Sequence, residues 1–333
     1  MDWRLSRSRQ RSEELLKGAI DIHVHAGPHL VSSPRSVDPV EAAVEARDAG
    51  MEAIVFMDVF NMSTGTAWLV NNVVPDFKTY GGIILNTVYG GLNARAVNTA
   101  LYYGEPARFV SFGAHSTYQE ASNEGRYEQG TYILLKDRYP KFAEEELSRA
   151  IRIPAGPPDK DLKEILEVIA AHPHVYLITG HVSKDEAIRL CELSEEFGIK
   201  KVVISDCATR GMSSQEMAKV ISTGAYIEKW LGPTHSSTIP KTHYYVEPEY
   251  RSESKRRAPA QPGTAVGVPR VAELIREFGA EHFIISTDFG VYTLPNPAEG
   301  MREFIACLMD VGLTDEEIRR VSRINPGILL DLV

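Results

Sequence analysis

His23 and His25 stand two residues apart in Asp21-Ile22-His23-Val24-His25, a stretch that begins as a short apolar run of the kind that forms a buried strand. At a strand's end this spacing sends both imidazoles out from one face, where they can converge on one point. Imidazole nitrogen ligates Zn²⁺, Mn²⁺, Fe²⁺ or Ni²⁺, and one ion needs about two to four further ligands from elsewhere in the fold. Alone, the pair reads as two histidines bonded to backbone. It is not alone. His181 closes the apolar run 177–181 and Asp288 closes the run 284–288. Core packing gives no reason for four ligand-type side chains at the ends of three apolar runs. Together they predict a metal centre of His23, His25, His181 and Asp288, the alternative for Asp288 being a cap on the turn after its strand.

For these side chains to meet, their runs must lie side by side. Eight short apolar runs read as strands, at 19–24, 53–57, 82–86, 109–113, 175–179, 201–205, 225–228 and 283–287. Most are separated by helical stretches with readable start signals. Asp38-Pro39-Val40-Glu41 offers an N-cap, a proline at the first helical position and an acid at the third, and capping boxes begin at Ser183, Ser213 and Thr314. Alternating strands and helices predict a parallel sheet, and eight such units favour closure into a (β/α)₈ TIM barrel formed by residues 1–333 as one domain. An open doubly wound sheet is the alternative, but no G-x-G-x-x-G follows the first run.

In a barrel the C-terminal strand ends share one rim, where active sites are built. Two long insertions, 114–158 after the fourth strand and 231–267 after the seventh, rise from that rim as candidate lids. The second carries a basic run at 251–257, which reads either as an anion site or as a solvated mobile loop. Tyr89, Asn93, Arg95 and the segment 235–250 are candidates to line a pocket, with Arg95 suited to a substrate carboxylate if it points inward and otherwise a surface arginine.

The composition, 43% hydrophobic and 24% charged, is that of a soluble chain with a sizeable core, and the net charge of -9 argues against nucleic acid as the main partner. Cys191, Cys207 and Cys307 form no C-x-x-C pair and no disulfide framework, which fits the cytoplasm. No apolar run reaches the roughly 18 to 20 residues of a membrane span, and 1–11 lacks the apolar centre of a secretory signal. The expected partners are a small-molecule substrate and further copies of the chain, with neither nucleic acid nor a membrane.

On Asp21-x-His-x-His, Gly180-His181, Ser286-Thr287-Asp288, Leu313-Thr314-Asp315-Glu316-Glu317-Ile318 and Asn325-Pro326-Gly327-Ile328-Leu329, the chain resembles the amidohydrolase superfamily over nearly its whole length. Leu85-Asn86 with Gly90-Gly91-Leu92-Asn93 is similar to a functionally uncharacterised branch of it. The resemblance implies a distorted (β/α)₈ barrel, one or two metal ions and hydrolytic attack by metal-activated water. His23, His25 and His181 then hold the ion. Asp288 serves as ligand and as the catalytic group that takes the water's proton and passes it to the leaving nitrogen or oxygen.

Two departures narrow this reading. Where the superfamily often has a histidine after the sixth strand, the chain has Ile204-Ser205-Asp206-Cys207, so that group is missing or Asp206 replaces it. Where binuclear members carry a bridging lysine or glutamate, the chain has Phe112-Gly113-Ala114-His115, and the nearest lysine is Lys136 in the insertion. One ion is therefore expected rather than two, zinc foremost. His29, His115, Asp206, Glu228 and Asn93 are further candidates for supporting or substrate contacts, as is Asp58; His29 and His115 read equally as loop histidines. The expected reaction is cleavage of a C–N bond (amide, lactam or cyclic imide) or of an ester or lactone. The alternatives are a metal-dependent decarboxylase or lyase, or a catalytically inactive ligand-binding member.

Overall fold

The computed structural model describes residues 3–29, 35–104, 107–123, 125–128, 131–231, 267–290 and 294–333. All eight expected strands form, as β1 (Ile20–Val24), β2 (Ala53–Phe56), β4 (Gly82–Ile84), β5 (Phe109–Ser111), β8 (Tyr176–Ile178), β9 (Val202–Ile204), β10 (Tyr226–Trp230) and β11 (Phe283–Ser286). A short strand β3 (Lys78–Tyr80) precedes β4, and the two share the work of one barrel strand: β3 pairs with β2 and β4 with β5, all parallel. The break falls at Gly81, where a side chain would overlap the backbone of Ser63. The Ser63 hydroxyl takes the Gly82 N–H at 2.9 Å in place of a neighbouring strand.

The hydrogen-bonded orders are β1-β2-β3 and β11-β10-β9-β8-β5-β4. The circle closes between β11 and β1 just beyond their ends, where Val24 bridges Phe289, His25 N–H donates to Phe289 C=O at 2.8 Å and Asp288 N–H donates to His23 C=O at 3.1 Å. This is a distorted (β/α)₈ barrel, not the open sheet.

Ile20, Ile22, Val55, Ile84, Phe109, Tyr176, Ile178, Val203 and Ile284 fill the interior layer. The outer faces of the strands pack against helices whose apolar residues recur with helical period, as in Lys160–Ala170, which buries Leu162, Ile165, Leu166 and Ile169. The capping boxes of Asp38 with Glu41, Ser183 with Glu186, Ser213 with Glu216 and Thr314 with Glu317 all form.

The first insertion has structure of its own: the helix Tyr118–Asn123, an antiparallel hairpin of β6 (Gly125–Glu128) and β7 (Thr131–Leu134), and the helices Leu135–Arg138 and Pro140–Arg149. Most of the second insertion, including the expectations for 235–250 and 251–257, lies outside the described residues.

Candidate metal centre

The two histidines owe their inward aim to an irregularity. Register along β1 and β2 runs Ile20 to Ala53 and Asp21 to Ile54, but then Val24 to Phe56, so β1 carries an extra residue between Asp21 and Val24. Such a bulge shifts the alternation of faces. Ile20 and Ile22 belong to the interior cluster, whereas Val24 belongs to the outer core, which leaves the interior to His23 and His25. Asp21 pins the bulge: its carboxylate accepts His23 N–H at 3.0 Å, Thr287 N–H at 3.2 Å and the Thr287 hydroxyl at 2.6 Å, tying β1 to the chain after β11. Burial still pushes Asp21 up to about 7 against those donors.

Asp288 arrives from the other side of this seam. Its φ of 57° lies in the left-handed region, unusual for a residue with a side chain. Gly290, at φ 129°, lies so close beneath His25 that a Cβ would overlap the His25 carbonyl, so glycine is required there. His23, His25 and Asp288 each offer one ligand atom, and all three lie within 4.8 Å of one another.

The ring hydrogens decide what these atoms do. His25 Nδ1 is 2.6 Å from the Met57 carbonyl, which can only accept, so Nδ1 carries the hydrogen and Nε2 the lone pair of the neutral ring. That lone pair faces Asp288 Oδ1 at 3.0 Å, an acceptor against an acceptor. Burial holds His25 below the ordinary imidazole value, favouring the neutral ring. A cation between Nε2 and Oδ1 satisfies both.

His23 repeats the arrangement, with Nδ1 3.1 Å from Glu228 Oε1 and Nε2 3.6 Å from Asp288 Oδ1. Glu228, wholly buried, is held by the Ser286 hydroxyl at 2.6 Å. Burial disfavours a charged His23, but the carboxylates of Glu228, Asp288 and Asp21 outweigh it and push the ring up to about 9 in the metal-free protein. Burial also opposes the charge on Asp288, yet the close approach of His25 and the neighbouring histidines keep its carboxyl below the usual range. Two imidazoles with their outer nitrogens tied down, and a carboxylate opposite, fit a divalent ion.

The model of a family of unknown function (DUF6282) matches residues 18–228. The chain belongs to this family. The match takes in β1 and Glu228 and stops before Asp288. No curated protein matches the DUF6282 chain. Among solved structures, an amidohydrolase from Mycoplasma synoviae is 16% identical with a TM-score of 0.56, covering 96% of this chain and 89% of that one. A zinc-bound amidohydrolase from Burkholderia multivorans is 10% identical with a TM-score of 0.52, covering 95% and 99%. An uncharacterised TIM-barrel protein from Bordetella bronchiseptica is 10% identical with a TM-score of 0.51, covering 94% and 98%. The DUF6282 chain thus shares the fold of these barrels.

The remaining expected residues fall in several places. His181 reaches the same rim but stands outside the group of three. The Trp230 ring lies beside both His23 and His181, with centroids 4.8 and 5.6 Å away, and His181 Nδ1 meets Glu120 Oε1 at 3.2 Å. Gly180 permits this approach, because a Cβ there would overlap the Gly113 carbonyl. His115 is exposed, its ring centroid 6.2 Å from that of His181.

Asp206 does not join the three donors. It is wholly buried and bonds Lys229 Nζ at 3.1 Å and Arg210 Nη2 at 3.2 Å, so its charge is taken up by an ion pair beside the barrel wall. Asn93 serves as the N-cap of helix Ala94–Tyr102, accepting from Arg95 N–H and Ala96 N–H, and Arg95 lies exposed on that helix. Lys136 is half-buried in the helix Leu135–Arg138 and is not among the donors. Asp58 caps its own turn through Phe60 N–H and Asn61 N–H, and His29 packs on Phe60.

Glu120, Trp230 and Arg35 escaped the sequence reading. Glu120 sits in an insertion with no catalytic pattern, and β10 runs two residues past its expected end to include Trp230. Arg35 stands in a stretch of the sequence with no regular apolar period.

Proposed function

We propose that the chain is a metal-dependent hydrolase that cleaves a C–N bond (amide, lactam or cyclic imide) or an ester or lactone in a small molecule, using one divalent ion, zinc foremost. The observation that carries this reading is the pairing of two acceptors, His25 Nε2 and Asp288 Oδ1, at 3.0 Å, with the His25 hydrogen committed to Met57. A zinc-bound amidohydrolase of similar fold supports the choice of ion. When bound, a divalent ion lowers the pKa of water from about 15.7 toward 7 and polarises a carbonyl.

The chain's own groups do the rest. Glu228 and the Met57 carbonyl hold the rings of His23 and His25 in place. Asp288 is the carboxylate at hand to take a proton and return it to the leaving group. His181, held by Glu120 and packed beside Trp230, is a further imidazole at the same rim. Metal analysis of the purified protein, followed by a panel of cyclic amides, lactones and N-acyl compounds with and without chelator, tests the proposal. About one tightly held ion and chelator-sensitive hydrolysis are expected; a protein that takes up no divalent metal overturns it.

A further inference from the structure

Arg35 lies where the chain passes over the seam that carries the three donors. The two residues that follow it are tied to both halves of the seam: Ser36 N–H donates to Gly290 C=O at 2.8 Å, two residues beyond Asp288, and Gly27 N–H donates to Val37 C=O at 2.9 Å, two residues beyond His25. Its Cβ lies 3.9 Å from the position a side chain on Gly27 would occupy. The half-buried guanidinium is near enough to Asp288, Asp58 and His25 for their charges to act on one another. Among the described residues, however, no hydrogen bond or ion pair ties it down. Asp58 has turned its Oδ1 to the N–H groups of Phe60 and Asn61.

We infer that Arg35 binds an anionic oxygen group of the substrate, a carboxylate or a phosphoryl group, held beside the bond to be cleaved. This rests on the metal-site reading above. A divalent ion with two neutral imidazoles and one carboxylate retains one net positive charge, and Arg35 adds another at the mouth of the same site. A neutral substrate leaves the guanidinium partly desolvated and without a partner, which costs free energy that a bidentate carboxylate or phosphoryl group recovers. Both interact with the planar fork, and a substrate with its anionic group near the scissile carbonyl engages the ion and Arg35 together.

The test uses zinc-loaded full-length protein and hydroxamates, which grip a metal through their own two oxygens. Three tails are compared by calorimetry at matched lengths of about three to five carbons: a terminal carboxamide, carboxylate and phosphonate. For wild type, one of the anionic tails is expected to bind at least about tenfold tighter than the carboxamide. Which one does so identifies the group. Arg35→Gln is expected to bring that ratio to about one while zinc content and carboxamide affinity hold, and Arg35→Lys to keep part of it. No preference in wild type at any length, or a preference that survives in Arg35→Gln, overturns the inference while the carboxamide probe still binds. If no probe binds and no zinc is held, the metal-site reading fails first, and the inference with it.

Discussion

Glu228 Oε1 lies 3.1 Å from His23 Nδ1, a buried carboxylate fixing a ring whose other nitrogen points at the candidate ion. The two residues are 205 positions apart in the chain. A carboxylate behind a ligating histidine sets its tautomer and raises its basicity. Glu228→Gln is expected to lower metal affinity by about 10- to 100-fold, read by competition with a chromogenic chelator. Unchanged affinity contradicts the assignment.

Asp288→Asn is expected to lose more metal than Glu228→Gln does, because it removes a donor rather than the support of one. The melting temperature of the metal-free protein should hold, since asparagine tolerates the left-handed backbone at φ 57° as aspartate does. Metal analysis beside a thermal melt separates the two effects.

Gly290→Ala places a methyl group on the His25 carbonyl at a φ of 129° that alanine avoids. It should cost roughly 1–3 kcal/mol or more in denaturant unfolding and lower metal content with it, because the strand ends that carry His25 and Asp288 must part.

Asp206→Asn tests whether that carboxylate serves structure or the metal. Asparagine keeps an Oδ1 for Lys229 Nζ to bond but removes the negative charge paired with this buried group, 1% exposed, at a cost of about 3–5 kcal/mol. Metal content of the folded fraction is expected to be unchanged. A selective loss of metal without loss of stability would make Asp206 part of the centre.

Glu216 gives the stability a dependence on acid. Its bond to Lys184 at 2.7 Å, with the Ser213 cap, pulls the carboxyl from 4.5 down to about 2. A carboxyl with a depressed folded value stabilises above its ordinary pKa, and that contribution fades as the pH falls from about 4.5 toward 2. Glu216→Gln should lower stability near neutrality and flatten its pH dependence across this window, so that the two proteins converge near pH 2; an identical slope in both proteins counts against the cap.

The local parts of this molecule were legible in the amino-acid order, because they rest on neighbours. Helix starts depend on residues three apart: the capping boxes formed where Ser183, Ser213 and Thr314 announced them, and the N-cap expected at Asp38 formed with Glu41 completing a box. Strands show as apolar runs, and alternation with helices leads to a parallel barrel. The types of the donors were legible too, since nothing in packing asks for His23, His25 and Asp288 at strand ends.

What the tertiary structure decided are relations across the barrel. A plain alternation that puts Ile20, Ile22 and Val24 inside would turn His23 and His25 outward; the bulge against β2 reverses that, and it exists only in the pairing of two strands. His25 meets Asp288 across 263 positions, Trp230 comes to lie beside both His23 and His181, and Asp206 spends its charge on Lys229 and Arg210. No local pattern encodes such distances, because a carboxylate's role follows from which charge or hydrogen the fold brings within about 3 Å of it.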